Sequence, residues 1–239
     1  MPASTSPAAS PKPLPTCCSL TAPASVPVAV ADLARDDTDS LSSAYRCLHE
    51  ALDVLADQAP DLTDVSEDAL EAGHEHLLLD GTSIPTDRVH DCGPGSDRWY
   101  SGEHEHHGGN VQVVCDPDGR PLWVSPVELG ATHDLTAAGR HVLPALSPAA
   151  ARGLPVLGDK GCIGGGVRVP VRRPRRGRVL DRSTRGWNSY VNTDRSFVEH
   201  GIVHLKVRWR ALARATLCSW GISAIVATAL VLGIWENRY

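Results

Sequence analysis

The stretch Leu77-Leu78-Leu79-Asp80-Gly81-Thr82 decides the fold. Its three leucines are typical of a buried strand, and Asp80 follows where such a strand leaves the core. An acid in this position is either a turn residue or a metal ligand. Because Asp-Gly is a common turn dipeptide, the stretch alone favours the turn. The rest of the chain supplies two further acids, and their settings favour the ligand.

Length and charge limit what this chain can be. Its 239 residues are enough for one full-sized domain. The net charge of −5 conceals an asymmetry. Residues 140–239 carry 17 Lys and Arg against 5 Asp and Glu, a net charge of +12, whereas residues 1–139 carry 6 against 23, a net charge of −17. This asymmetry indicates a basic face for a polyanion beside an acidic region.

Cysteines and hydropathy bear on the cellular compartment. The seven cysteines are odd in number and form no CxxC pair, which is typical of reduced thiols in a cytoplasmic protein. The first residues lack the apolar run of a signal peptide. The apolar run Ile222–Ile234, at 13 residues, is too short to span a bilayer of roughly 30 Å and predicts a buried helix.

The first third of the chain has little sheet-forming pattern. Residues 1–40 are a low-complexity segment that we expect to be disordered, ending in the acidic link Asp32–Ser40. Residues 41–75 predict a helical, helix-turn-helix-like region. Its first helix starts near a cap at Ser42 or Ser43 and stops before Pro60, and a second runs over 66–73.

Residues 76–239 alternate strand and helix patterns. A loop is expected over 87–109, followed by a hairpin of strands 110–115 and 121–125 around Asp116-Pro117-Asp118-Gly119. Gly130 to Leu135 predicts a helix entry capped by Thr132. A strand at 154–157 ends at Gly158-Asp159, and helices are expected over 194–215 and 220–235. This order predicts an α/β fold with a mixed sheet flanked by helices.

Two acids follow predicted strands, and a third lies on a predicted helix. Asp80 and Asp159 are expected at carboxyl ends of strands, where open α/β sheets place their sites. Glu199 shares a helix face with Val203, Lys206 and Arg210, which fits metal binding with a phosphate grip. For that helix alone, a solvated stripe of ion pairs explains the same pattern.

Five ordered blocks extend this pattern: LLLDGTSIPTDRV, YSGEHEHHGGNVQVVCDPDGRPLWVSP, GATHDLTAA, LPVLGDKGC and FVEHGIVHLKVRWRAL. Together they resemble the catalytic domain of bacterial insertion-sequence transposases of the DDE superfamily, Harbinger-like class, over residues 42–235. The resemblance implies an RNase H-like fold, two Mg²⁺ (or Mn²⁺) ions, and cutting and joining of transposon DNA ends. It makes Asp80 the first acid, Asp159 the second and Glu199 the third.

Other residues fit the same chemistry less specifically. Asp134 matches a recurrent block of the family and is a secondary catalytic candidate, although a helix start explains it equally well. We expect phosphate contacts from a basic loop and from the Glu199 helix. These residues are Arg168, Arg172, Arg173, Arg175, Arg176, Arg178, Lys206 and Arg210. The loop containing His104, His106 and His107 has no common zinc spacing. The resemblance implies that this loop contacts DNA.

The resemblance also implies partners and alternatives. Double-stranded DNA is the expected partner, on which the chain can act as a homodimer. Related transposases carry more helices before residue 42, so we expect an N-terminally truncated copy that lacks part of the end-recognition module. A catalytically defective DNA-binding remnant and a domesticated metal-dependent nuclease are the two alternatives. Cys162, Glu103 and Glu105 depart from the family pattern.

Overall fold

A computed structural model describes residues 29–87, 97–159, 162, 166–172, 179–215 and 219–236. The chain divides into two compact units, residues 1–45 and 46–239. In its described part the first unit contains helix α1 (Val30–Asp36), so part of the expected acidic link is helical. Residues 1–28 lie outside the described residues, so the disorder expected for residues 1–40 stays a prediction for them.

Two helices precede the sheet, close to where the sequence predicts them. Helix α2 spans Leu41–Ala56, and its cap is Ser40 rather than Ser42 or Ser43, because Ser40 Oγ accepts the backbone N–H of Ser43 at 3.1 Å. Helix α3 spans Leu62–Glu71 and begins earlier than predicted. The Asp61 carboxylate accepts the N–H of Thr63 at 2.7 Å and thereby sets that start.

The described strands form one mixed sheet, which confirms the predicted α/β class. Strand β3 pairs antiparallel with β1, β2, β4 and β5, and β1 pairs in parallel with β6. The predicted hairpin is present as β3 and β4. The strands are β1 (Leu77–Pro85), β2 (Tyr100–Ser101), β3 (His106–Cys115), β4 (Pro121–Val124), β5 (Glu128–Leu129) and β6 (Val156–Leu157).

Asp80 lies within strand β1, whereas the sequence predicted it at the end of the strand. The strand continues through Asp80 and Gly81 to Pro85, so the Asp-Gly pair forms no turn and Asp80 lies within the strand. The reason is the partner strand, since β3 pairs with β1 along its length and places Gly81 opposite Gln112. The loop predicted over 87–109 likewise contains β2 and the start of β3, and residues 88–96 lie outside the described residues.

Successive residues of β1 face opposite layers, as the two-residue period of a strand requires. Leu77 and Leu79 pack in one apolar cluster with residues of helices α4 (Asp134–His141) and α5 (Leu143–Ala151). Leu78 and Ile84 pack in another with residues of α6 (Arg182–Arg208) and α8 (Ile222–Glu236). The sheet therefore lies between two helical layers.

The long helix differs from its prediction at both ends. Helix α6 begins at Arg182 rather than near Asp194, because Asp181 caps it by accepting the N–H groups of Ser183 and Thr184 at 3.0 and 3.1 Å. It ends at Trp209, whose backbone is extended, and the short helix α7 (Arg210–Ala213) follows. The last predicted helix is confirmed as α8, most of which is buried in the core.

No helix in the described part of the chain combines the length and the apolar character needed to cross a bilayer.

Candidate active site

Asp80 lies within β1, and Asp159 follows the parallel neighbouring strand β6 at a matching height. Leu78 pairs with Leu157, and each acid lies two residues further along its own chain. Both carboxylates are half-buried. The sequence predicted that these acids meet if their strands are neighbours, and the pairing of β1 with β6 confirms that condition.

The pKa of Asp80 is shifted by its burial and by the charged groups near it. Burial raises the pKa of Asp80 to about 6, the nearby Arg195 guanidinium lowers it, and the charges of Asp159 and Asp134 raise it further. Three carboxylates therefore share one region of low solvent exposure. Such a cluster favours a compensating cation.

Asp134 reaches this cluster from the other face of the sheet. It is the first residue of α4, and its side chain lies directly against Gly81. A Cβ atom on Gly81 would lie 2.5 Å from Cγ of Asp134, so only glycine admits this approach. Thr132, the predicted cap, is not the N-cap residue of α4, because His133 occupies that position and forms no side-chain capping bond.

Two amides on β3 hold the Asp134 carboxylate, and the sequence analysis missed both. Asn110 Nδ2 donates to Asp134 Oδ1 at 2.7 Å, and Gln112 Nε2 donates to the same oxygen at 3.3 Å. Gln112 also donates to Asn110 Oδ1 at 2.9 Å. A signal was present in the sequence, because buried amides alternate with valines along this strand.

Glu199 is the predicted acid that the structure keeps outside the cluster. Its carboxylate is 59% exposed and accepts a hydrogen bond from Arg195 Nη2 at 3.5 Å. The charges that shift the pKa of Asp80 are those of Arg195, Asp159 and Asp134. On α6, the residue whose charge reaches Asp80 is thus the arginine one turn before the glutamate.

The predicted phosphate-binding residues fall into two groups. Lys206 is half-buried and donates from Nζ to the carbonyl oxygen of Ser83 at 2.7 Å, which ties α6 to β1. Arg210 is exposed, but it lies in α7, beyond the break at Trp209, and so does not continue the face of Glu199.

The basic loop is described only in part. Arg168 and Arg172 are exposed, and the backbone of Arg168 pairs with Leu157 at the end of β6. Arg173, Arg175, Arg176 and Arg178 lie outside the described residues.

The match to a known protein family covers the elements described above. The family model described as DDE superfamily endonuclease matches residues 79–233, which run from β1 into α8. The chain belongs to the DDE superfamily of endonucleases. No curated protein and no solved structure matched the chain. Membership makes this DDE endonuclease a nuclease by class, and Asp80 and Asp159 lie inside the matched range.

The donor chemistry of the DDE endonuclease fits a divalent cation of the magnesium type. Asp80, Asp159 and Asp134 offer hard carboxylate oxygens, and their mutual repulsion contributes to the raised pKa of Asp80. Within the described residues, no three His, Cys, Asp or Glu side chains are already gathered as a metal site. The fit to a cation therefore rests on the donor types.

Cys162 lies near the same three acids. It is buried, and burial together with the charges of Asp159, Asp134 and Asp80 raises its pKa to about 12. A thiol with this pKa stays protonated at neutral pH and is a poor metal ligand. The DDE endonuclease thus presents carboxylates rather than thiolates to a cation.

A polar cleft of about 310 Å³ adjoins Asp134. Ser83, Ser101, Asn110 and Thr132 contribute to its lining. His106 and His107, which the sequence places in a loop, begin β3, and each has a local side-chain partner. His106 Nε2 lies 3.1 Å from Ser83 Oγ, and His107 pairs with Asp97. The predicted role of this loop in DNA contact stays a prediction.

Proposed function

We propose that this DDE endonuclease is the catalytic domain of a transposase of the insertion-sequence, Harbinger-like type, which cuts and joins transposon DNA ends in the bacterial cytoplasm. The observation that carries the proposal is the parallel pairing of β1, which contains Asp80, with β6, which ends two residues before Asp159, inside the range matched by the family model. Membership of the family supports nuclease chemistry, and transposition is the finer assignment.

In this proposal Asp80 and Asp159 hold Mg²⁺ or Mn²⁺, two ions at full occupancy, and Glu199 completes the ligand set. Divalent ions in such a site lower the pKa of an attacking water or 3′-hydroxyl and stabilise the leaving oxygen. With a pKa of about 6, Asp80 is mostly ionised at neutral pH and available as a ligand. Asp134, fixed by Asn110 and Gln112, adds negative charge beside the ligands.

In this proposal, arginine and lysine side chains of the protein orient the DNA. Arg168 and Arg172 are exposed, and the backbone of Arg168 pairs with Leu157, two residues before Asp159, so these side chains are proposed to contact the phosphate backbone. Arg173, Arg175, Arg176 and Arg178 extend the same basic loop in sequence. Lys206 uses one of its three donors on Ser83, which leaves two for a phosphate, and Arg210 adds an exposed charge.

The test is cleavage and joining of duplex DNA carrying the element's ends, with Mg²⁺ or Mn²⁺ present. Wild type should nick the duplex and transfer its 3′ end to a second DNA. Asp80→Asn and Glu199→Gln should lose both activities while keeping most of their DNA affinity. Full cleavage by either variant contradicts the assignment of these acids, and cleavage without joining reduces the function to that of a nuclease.

A second candidate is a DNA-binding remnant of a transposase that no longer cuts. The outward position of the Glu199 carboxylate favours it, since the third acid then lies apart from Asp80. This candidate predicts salt-sensitive DNA binding with no cleavage under any divalent cation. Homodimer formation on DNA is compatible with both candidates and is measured by the mass of the complex.

A further inference from the structure

Helix α4 carries Asp134 at its first position and has a small apolar face. It has eight residues, and its buried residues are Ala137 and Ala138. An alanine side chain buries little apolar surface, and Gly139 inside the helix weakens the helix further. We therefore expect the position of α4 to depend strongly on polar contacts at its two ends.

The two ends of α4 are held by residues that face each other across two strands. Asn110 of β3 and Glu128 of β5 are partners in an antiparallel pairing. Opposite residues in such a pairing lie on the same face of the sheet. Asn110 Nδ2 donates to Asp134 Oδ1 at 2.7 Å, at the start of α4. Glu128 contacts the other end of the same helix.

The Glu128 carboxylate accepts hydrogen bonds from both basic residues in the last turn of α4. His141 Nε2 donates to Oε1 at 2.7 Å, and Arg140 Nη1 donates to Oε2 at 2.8 Å. The side chains of Glu128 and His141 are 15% and 25% exposed, whereas that of Arg140 is 57% exposed. Because exposed ion pairs contribute little, the bond to His141 should be the stronger of the two.

Glu128 is ionised in this arrangement. Burial raises the pKa of Glu128, but the hydrogen bonds from His141 and Arg140 outweigh burial and lower the pKa below its ordinary value. An ionised carboxylate can only accept hydrogen bonds, so His141 carries a proton on Nε2. A negative charge at the last turn of a helix is unfavourable alone, and here two basic side chains of that turn bind it.

We propose that Glu128 is a positioning residue: it holds the last turn of α4 while its cross-strand partner Asn110 holds the first, and together they keep the Asp134 carboxylate against Gly81. The consequence for cleavage rests on the proposed function, because it requires that Asp134 act beside the metal-binding acids. The placement of Asp134 itself does not depend on that function.

The contact with Gly81 makes the position of α4 critical. A Cβ on Gly81 would lie 2.5 Å from Asp134 Cγ, so the carboxylate lies very close to the strand. A helix of eight residues is roughly 12 Å long and moves as one piece, so a tilt at its last turn displaces its first. Loss of the Glu128 contact should therefore lengthen the hydrogen bond between Asn110 and Asp134.

The first experiment follows the side-chain amide of Asn110 by ¹H–¹⁵N NMR on the full chain in EDTA, without DNA. The signal is assigned by its loss in Asn110→Ala. Asp134→Ala gives the signal of the amide without its carboxylate acceptor. Glu128→Gln keeps the shape of the side chain and removes its charge, and should shift the Asn110 signal clearly towards that of Asp134→Ala. An Asn110 signal unchanged from wild type overturns the proposal.

A control and a second variant keep this experiment decisive. Glu67→Gln is the matched control, because Glu67 of α3 accepts from Arg152 at 2.5 Å and should leave the Asn110 signal in place. If Glu128→Gln does not fold, His141→Ala removes the same contact from the helix side. It must shift the Asn110 signal in the same direction, and an unchanged signal overturns the proposal.

Gly139→Ala separates positioning from general stability. No described atom outside the helix lies within 4 Å of a Cβ at Gly139, so alanine should stabilise α4. Added to Glu128→Gln, it should raise Tm without returning the Asn110 signal to its wild-type position. Return of that signal would show that helix stability, rather than Glu128, places Asp134, and would overturn the proposal.

Cleavage distinguishes this inference from the proposed function. At saturating DNA and Mn²⁺, Glu128→Gln should cut about tenfold more slowly than wild type, at unchanged DNA affinity. Glu67→Gln should cut at the wild-type rate. A wild type that cuts no DNA refutes the proposed function and leaves the NMR result standing. Wild-type cleavage by Glu128→Gln, with its Asn110 signal shifted, keeps the function and overturns the role of Glu128 in it.

Discussion

The carboxylate of Asp134 lies against the backbone of Gly81, with its Cγ 2.5 Å from where a Cβ on that glycine would be. Strand β1 thus touches both helical layers at adjacent residues. Asp80 is on the face that packs against α6, and Gly81 is on the face that packs against α4. The missing side chain at Gly81 allows Asp134 to come close enough for its charge to reach Asp80.

Gly81→Ala should therefore disturb the site. The added methyl overlaps the Asp134 carboxyl group and forces α4 away from β1. Such overpacking costs about 1–3 kcal/mol of unfolding free energy, and cleavage should fall with it. Gly102→Ala is the control, because nothing lies within 4 Å of a Cβ there. Urea unfolding of both variants checks this, and equal stabilities contradict the packing described.

Asp80 should give the cation-free protein a characteristic pH dependence. Its folded pKa of about 6 lies above the ordinary value of 3.8, so the folded state binds this proton more readily than the unfolded chain. The penalty from Asp80 is fully present above the folded pKa and is lost as the pH falls towards the unfolded value. In EDTA, Asp80→Asn should exceed wild type in stability by up to about 3 kcal/mol near neutral pH.

The pH dependence of the stability difference between Asp80→Asn and wild type tests this prediction. The stability difference between Asp80→Asn and wild type should shrink as the pH falls through about 6 towards 4, where wild-type Asp80 is protonated. Thermal unfolding over this pH range measures the difference. A difference that stays constant with pH means that Asp80 titrates normally.

Asn110 should contribute to cleavage activity although its side chain is uncharged. It donates to Asp134 Oδ1 and to the carbonyl oxygen of Thr132, at 2.7 and 2.9 Å. Loss of a group that orients a carboxylate beside a metal site typically costs about 10–100-fold in activity or metal affinity. Asn110→Ala should show a loss of this size in metal-dependent cleavage.

Asn192→Ala is the matched control for Asn110→Ala, since Asn192 is exposed on α6. Single-turnover cleavage rates of the two variants are compared at saturating DNA. Equal rates for both would mean that Asp134 needs no support from β3.

Arg168 and Arg172 should control DNA affinity through charge alone. Both are exposed, so each substitution by Gln should weaken binding and reduce the slope of log affinity against log salt by about 1. Arg152→Gln is the control, because that guanidinium already pairs with Glu67 at 2.5 Å. Fluorescence anisotropy at several salt concentrations measures the slopes. A slope unchanged by the first two variants places DNA elsewhere.

The sequence predicted the elements whose signals are local. The hairpin of β3 and β4 has strong turn chemistry in Asp116-Pro117-Asp118-Gly119, and α8 is a long apolar run. The sequence predicted that Asp80 and Asp159 meet if the strands before them are neighbours, and β1 and β6 do pair. These features depend on neighbouring residues or on a single topological step.

What the sequence missed depends on tertiary contacts. The dipeptide Asp80-Gly81 is typical of a turn, but here it lies within strand β1 because β3 pairs with that strand at these residues. The start of α6 depends on the cap at Asp181, and its end at Trp209 falls within an apolar pattern that suggested continuity. The orientation of α6 about its axis decides whether Arg195 or Glu199 faces Asp80. Helical spacing groups residues on a face without saying what that face meets.

The central claim is that Asp80 and Asp159 together form the cutting site, and one assay tests it most directly. Cleavage of duplex DNA with Mg²⁺ or Mn²⁺ is measured for wild type, Asp80→Asn, Asp159→Asn and Asp118→Asn, the last being an exposed turn acid. We predict metal-dependent cutting by wild type and Asp118→Asn, and none by the other two at unchanged DNA affinity. Full cutting by Asp80→Asn or Asp159→Asn would contradict the account.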